Sequence, residues 1–251
     1  MLLLLAQHAF ILAQKLVILD KPVFYAGEEL TYKLKYGVLT AADGILKVKY
    51  TDQKFEGKPS FHLTAEGQTA GTFGFFYTVH NKYDSYIDQK TFLPYYYEED
   101  IHEGKYRRND KVKFDQSSRK VTGNKGTYNG AEQTFDLLSA YYFARQLNLS
   151  GIKEGDSFKF TYFLHDEVAT LGITYIGKET IETKLGNIRC LKFSPDIKAG
   201  RIFKKSSKLY LWVTDDGNRI PVKAQVEIIV GSVTLELQNA IGLKYPIQTS
   251  K

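Results

Sequence analysis

The 251-residue chain carries 34 Lys and Arg against 28 Asp and Glu, a net charge of +6, with 43% hydrophobic and 25% charged residues. That balance supports a packed core and excludes wholesale disorder, and the single cysteine, Cys190, excludes an internal disulfide. A basic balance suits anionic partners, but here the charges alternate along strands as a solvated surface does. No helix-turn-helix, zinc module or RNA-recognition signature accompanies them, so nucleic acid is not expected.

The chain opens on a run of apolar residues, Leu2 to Leu5 and then Phe10, Ile11 and Leu12, ending at Ala13-Gln14. This has the length of a signal-peptide core and falls short of the ~20 residues that a spanning helix needs. No cysteine follows it, which excludes lipid attachment of the bacterial lipoprotein type. No later stretch reads as a membrane span. The expectation is an exported protein, periplasmic or secreted, with residues 1–20 covering the signal peptide and the start of the mature chain. Residues 21–250 are expected to form a single β-rich domain.

Beyond the leader, period-two alternation dominates. Tyr32, Leu34 and Tyr36 share one face and Thr31, Lys33 and Lys35 the other. The pattern recurs at Leu46, Val48 and Tyr50, at Phe158, Phe160, Tyr162 and Leu164, at Val222 to Ile228, and at Val233, Leu235 and Leu237. Strands with one wet face belong to antiparallel sheets, and the 18 Tyr and 16 Phe suit such half-buried surfaces. Turn signals separate them at Asp43-Gly44, Glu56-Gly57-Lys58-Pro59, Glu103-Gly104, Gly123-Asn124 and Asp216-Gly217-Asn218.

Residues 134–147 break the pattern. The segment has neither Gly nor Pro, and it predicts a helix capped by Thr134 or Asp136. Leu137, Tyr141 and Ala144 fall on one side and Leu138, Tyr142 and Arg145 on the next, so the sheet should largely enclose it. The flanking halves, 21–130 and 150–245, resemble each other. Gly27-Glu28-Glu29-Leu30 aligns with Gly155-Asp156-Ser157-Phe158, and Tyr83, Asp88, Pro94 and Gly104 align with Tyr210, Asp215, Pro221 and Gly231 at a constant spacing of 127. Two similar β halves joined by the helix are therefore expected.

Candidate chemistry is sparse. The acidic pairs Glu28-Glu29 and Glu98-Glu99-Asp100 read as solvated strand ends, because adjacent residues on a strand face opposite ways and a glycosidase needs two carboxyls converging across a cleft. His62, His80, His102 and His165 lack metal-ligand spacing, and His165-Asp166-Glu167 reads as a hairpin tip. No GxSxG elbow or phosphate-cradling loop is present, and Cys190 reads as a small buried hydrophobe. No catalytic residue, metal or cofactor is expected. Two basic stretches, Lys198 to Lys208 and Lys105 to Lys113, are exposed tips that could meet anionic lipid headgroups.

The run Ala26-Gly27-Glu28-x-Leu30-x-Tyr32 comes first among four marks, with Tyr83-Asp84-Ser85-Tyr86-Ile87-Asp88 leading to Pro94, then Glu103-Gly104-x-Tyr106, then Phe135 to Ala140 ending at Arg145. In this order they resemble an exported bacterial family, domain of unknown function 3108, over roughly Phe24 to Leu243. The resemblance implies a secreted or periplasmic β-rich protein and carries no activity to transfer. Over a shorter stretch, Tyr210 to Asp215 through Ile220-Pro221-Val222-Lys223 to Gly231 is similar to strands of the periplasmic lipoprotein-carrier (LolA-like) superfamily. That likeness implies an open curved sheet holding acyl chains.

The expected architecture is mainly β, an antiparallel open barrel or curved sheets from two similar halves wrapped around one central helix. The expected role is non-enzymatic, the binding of an apolar or amphipathic, lipid-like ligand in the concavity by Phe75, Phe76, Leu138, Tyr142 and Trp212. The expected partners are a lipid or lipoprotein ligand and an anionic membrane surface. The alternative is a structural or interaction module that binds envelope protein or glycan through an outer face or strand edge.

Overall fold

A computed structural model describes residues 16–71, 73–196 and 207–249. The alternating runs form strands joined mostly by tight turns. The first half holds β1 (Glu29–Tyr36), β2 (Leu39–Lys49), the two-residue β3 (Lys54–Phe55), β4 (Lys58–Thr69), β5 (Val79–Asp88), β6 (Pro94–Glu103), β7 (Tyr106–Asp115), β8 (Lys120–Gly123) and β9 (Gly126–Asn129). A one-turn helix, α1 (Phe73–Phe76), lies between β4 and β5. After β10 (Thr134–Phe135) and the helix α2 (Leu137–Gln146) come β11 (Ser157–Leu164), β12 (Glu167–Thr183), β13 (Gly186–Pro195), β14 (Leu209–Thr214), β15 (Pro221–Glu227) and β16 (Ser232–Ile241).

All strands but β3, which pairs only with β4, follow one path, β10 through β16 in order, then β1, β2, β4 and on to β9. The pairings are antiparallel except β10 with β11. The last strand of the chain thus lies beside the first, and the ends of the path, β9 and β10, are consecutive in sequence. No ladder joins them, so this large sheet is open rather than closed into a barrel. Side chains span the gap instead. Tyr128 packs on Phe163 with ring centroids 5.2 Å apart, and the Lys125 amide donates to Asp166 Oδ1 at 3.1 Å. Gly123 permits this approach, because a Cβ there would lie 2.9 Å from the Phe163 ring.

Some positions that correspond between the halves have similar backbone geometry. Gly27 and Gly155 both have positive φ, 102° and 90°. Gly27 donates to Val48 O while Val48 donates to Glu28 O, and Gly155 and Tyr175 repeat the exchange with Asp156. In the turns that follow β5 and β14, Phe92 and Arg219 take φ of 58° and 52° at the same 127-residue spacing.

The helix is shorter than its sequence pattern suggests. Thr134 and Phe135 are extended, held by β11 and by Gln116, whose Nε2 donates to Thr134 O at 2.8 Å. Asp136 is the N-cap, accepting from the amides of Leu138 and Ser139 at 2.8 Å, while Ser139 Oγ accepts from the Asp136 amide. At the other end the N-terminal segment pairs with the last helical carbonyl and with the chain just beyond the helix. Leu19 N donates to Gln146 O at 2.8 Å, and Asn148 N donates to Val17 O at 2.8 Å. Leu138, Tyr142 and Phe143 enter one core cluster with Phe24, Leu63, Ile87, Phe92, Phe135 and Phe160, each buried side chain contributing roughly 1.5–3 kcal/mol.

Arg145 and Glu28 overturn the reading of Glu28-Glu29 as a solvated strand end. Glu28 is buried, and its carboxylate grips the Arg145 guanidinium through Nη1 at 2.5 Å and Nη2 at 2.8 Å. Asn218 O accepts from Nε and Nη2, and the rings of Phe24 and Tyr142 sit 5.3 and 5.2 Å from the guanidinium carbon. Glu29, on the other side of the strand, stays at the surface with Lys47 at 2.9 Å. Removing one partner strands a charge in the core. Arg145→Met or Glu28→Gln should therefore lose roughly 3–5 kcal/mol in urea denaturation, and the double variant should recover a large part of that loss.

Candidate functional site

The residues expected to form a pocket do not share one. Leu138 and Tyr142 are sealed in the core cluster around α2. Trp212 lies in a different cluster with Leu30, Tyr32, Ile188, Cys190 and Val222, its indole N–H donating to Glu179 at 3.1 Å and Lys192 standing over its ring. Phe76 is 88% exposed on α1, and the Phe75 side chain lies outside the described residues. Most of the basic stretch Lys198 to Lys208 also lies outside them.

Under the second half lies an apolar slot of about 70 Å³ between Ala144 and Leu147 of the helix end and Phe158, Phe160, Phe193 and Leu211 of the sheet. The larger opening is at one end of the sheet, where a cleft of about 590 Å³ lies between the N-terminal segment, the β3–β4 turn, the β5–β6 turn and the end of β7. Leu16, Ile18, Leu93, Phe114 and Phe143 supply apolar walls, and Lys58, Lys90, Gln116 and Gln133 stand among the polar groups at its edge.

Local hydrogen bonding fixes the cleft. Gln133 Oε1 accepts from the Leu16 amide at 3.1 Å and so holds the N-terminal segment in place. Asp88 Oδ1 accepts from the amides of Lys90 and Thr91, and its Oδ2 accepts from the Tyr95 hydroxyl. Burial pushes the Asp88 carboxyl up, but the Tyr95 hydroxyl and the Thr91 and Lys90 amides outweigh it and hold the group below its ordinary value. Burial and the Asp88 carboxylate push the Tyr95 hydroxyl up, so it remains a proton donor.

Acidic groups also gather at the seam, where the surface reading of Glu99 fails. Glu99 is buried and accepts from the Tyr97 hydroxyl at 2.7 Å, with Arg108 Nε 3.5 Å from its other oxygen. Arg108 also pairs with Asp110 and lies 3.7 Å from Asp166, so a guanidinium already stands among the three carboxylates. Residues His165 and Asp166 form the β11–β12 turn, both at positive φ. Among the described residues no three His, Cys, Asp or Glu side chains are placed to hold a metal ion. Cys190 is fully buried, and burial pushes its thiol up to about 12, which leaves it protonated. No described helix is long and apolar enough to cross a membrane.

A family model described as a protein of unknown function (DUF3108) matches residues 31–238. Among solved structures, a β-barrel-like protein of domain of unknown function DUF1849 from Brucella abortus is 9% identical, with a TM-score of 0.54 over 87% of this chain and 98% of that one. A hypothetical protein from Chlamydia trachomatis is 6% identical, with a TM-score of 0.40 over 90% and 93% of the two chains. At such identities the likeness to the first is one of fold alone. The chain has no match among curated proteins, and the likeness of Tyr210 to Gly231 to lipoprotein-carrier strands is not confirmed.

The Asp88 cap makes the cleft wall acid-sensitive. A carboxyl held below its unfolded value contributes stability above about pH 4, and that stability is lost as pH falls through the folded value. Asp88→Asn should lower Tm at neutral pH, and its Tm should fall less steeply than the wild type's between about pH 5 and pH 3. Thermal melts across that range would check both.

Proposed function

This chain belongs to the DUF3108 family of proteins of unknown function, and we propose that it is an exported, non-enzymatic envelope protein that holds an apolar or amphipathic small molecule in the cleft at the end of its sheet. The observation that carries this reading is the cleft itself. Its volume of about 590 Å³ falls in the range of small-molecule sites, ~300–1,000 Å³. Its apolar walls come from four separate parts of the chain, and polar groups stand at its edge. An apolar body would bury against Leu93, Phe114 and Phe143 while a polar head met Lys58 or Lys90. The slot beside the helix is too small for such a ligand, which moves the proposed site from the concavity to the sheet's end. Export rests on the apolar leader.

A second reading, a module that binds glycan or protein by its outer face, is favoured by one observation. His62, Tyr86 and Tyr96 stand opposite one another across β4, β5 and β6. His62 stacks on Tyr86 at 4.4 Å, and Phe55 stacks on Tyr95 at 5.3 Å.

Titration with the uncharged fluorophore N-phenyl-1-naphthylamine and displacement by laurate test the cleft. Saturable fluorescence that laurate displaces is expected, and Leu93→Trp, which fills the cleft, should weaken it by about tenfold, the loss of one buried side chain's worth of contact. Equal titrations of wild type and Leu93→Trp would sink the reading.

A further inference from the structure

In an antiparallel sheet successive hairpins turn at opposite ends, so the sheet has two rims. The cleft opens at one. The other carries the β8–β9 and β11–β12 turns, which are polar at Asn124-Lys125 and His165-Asp166, and the turns β1–β2, β4–β5, β6–β7 and β15–β16, four that are consecutive around the sheet because β15, β16, β1, β2, β4, β5, β6 and β7 are neighbours in that order. Each of these four presents large apolar groups to water. Val38 is 93% exposed on the first and Val230 69% on the last, and these two tips are tied together, the Tyr36 hydroxyl donating to Val230 O at 3.0 Å and Gly37 N to Ser232 O at 3.1 Å. Phe76 and Tyr77 stand out from the β4–β5 connection, with Tyr77 packed against Gly104 of the next tip, where Tyr106 is exposed. With Tyr36, Leu39 and Ile229, the rim holds about half of the large apolar side chains left exposed among the described residues. The opposite rim has polar turns at Gln89-Lys90-Thr91 and Ser117-Ser118-Arg119, and its exposed apolar groups, Tyr25, Tyr50, Ile241 and Tyr245, lie on strand ends and connections rather than on a run of neighbouring hairpin tips.

We propose that this rim docks on a phospholipid bilayer, inserting its four apolar tips into the headgroup–acyl boundary. The apolar groups stand on separate projecting turns, a shape that a fluid interface buries without matching contours. Tyrosines suit the headgroup level, where the ring is apolar and the hydroxyl stays wet. Charge agrees with an anionic surface. Lys105 and Arg107 are exposed beside Tyr106, and Arg107 is held there by donating to Gly104 O and Tyr106 O at 2.8 Å. Of the nearby acids, Glu103 accepts from Asn81 and Glu236 pairs with Lys35, Asp100 lies 3.1 Å from His102, and Glu167 and Glu227 are exposed. Scattered apolar residues on a protein surface are ordinary. Their contiguity on four neighbouring hairpin tips is not.

The experiment is local, so that the apolar leader cannot imitate the result. In the full chain, Val38→Cys and, on the opposite rim, Ser118→Cys are labelled with the environment-sensitive fluorophore NBD; Cys190 is buried beyond the reagent's reach. With vesicles of phosphatidylcholine and phosphatidylglycerol, the label at position 38 should shift to the blue and brighten, and the label at 118 should not. Val230→Asp on the neighbouring tip should weaken the titration at position 38 about tenfold, in line with the loss of one inserted aliphatic side chain. Salt should weaken it further. A label at 38 that stays as wet as the one at 118 on vesicles would overturn the proposal. So would sedimentation of the vesicle-free chain as a dimer that Val230→Asp dissociates, which would assign the rim to a second copy.

Discussion

A guanidinium enclosed by aromatic rings is tolerable only if its charge and donors are answered, and in this fold the answers to one helix side chain come from two distant places. Arg145 is on the central helix, Glu28 precedes the first strand, and Asn218 lies in the turn between β14 and β15. Burial alone would lower the Arg145 value, but the carboxylate of Glu28 outweighs it and keeps the side chain charged. The net contribution of such a pair to stability is modest, because desolvation offsets most of the attraction. Its larger effect is on alternatives. Any packing in which the helix slides by a turn or rotates by one residue leaves a bare charge inside, so depth and rotation of α2 are fixed together.

Much else follows from that placement. Tyr141, one turn before Arg145, reaches Tyr32 with hydroxyls 3.2 Å apart, and Tyr32 in turn donates to Pro221 O at 2.9 Å. Phe143 is directed to the other side, between Phe135 and Phe160 and into the wall of the cleft. One helix thereby packs on residues from both runs of strands, and its two faces serve different neighbours.

The parts of this fold that local chemistry dictates were legible in the sequence. Alternation located the strands, the Gly and Asp turns located the hairpins, and Asp136 was readable as a cap because its partners lie within three residues. Burial of Glu28 was not readable, since the side chain that takes it inside is 117 residues away and nothing in Gly27-Glu28-Glu29 distinguishes the buried acid from the exposed one. Yet Glu28 and Arg145 were both among the residues that carried the family resemblance, and they prove to be partners in one ion pair. Glu99 was misread for the same reason as Glu28. The pocket residues were misplaced because aromatic content says that a ring will pack, not against what. Phe76 sits beyond the end of the sheet and Trp212 in a separate cluster. The cleft walls, Leu16, Leu93 and Phe114, carry no shared signal because only the fold brings them together.

The cleft and the open seam meet where the chain passes from β9 to the helix. After β9 the chain has only Thr134 and Phe135 to add to the sheet before Asp136 caps the helix. A longer β10 could have paired with β9 and closed the barrel, but those residues are committed to α2 and, through Arg145, to the core. The gap is bridged by side chains at one level, Tyr128 against Phe163 and Asp166 to the Lys125 amide. At the end of the sheet where the chain leaves β9, no strand fills the space, and Glu132, Gln133 and the N-terminal segment border a hollow instead. At the opposite rim the hairpins from β15 to β7 run on without interruption. Beside the seam the two ends of the sheet are therefore unlike, one hollow and the other closed over by the contacts of Tyr128 with Phe163 and of Asp166 with the Lys125 amide.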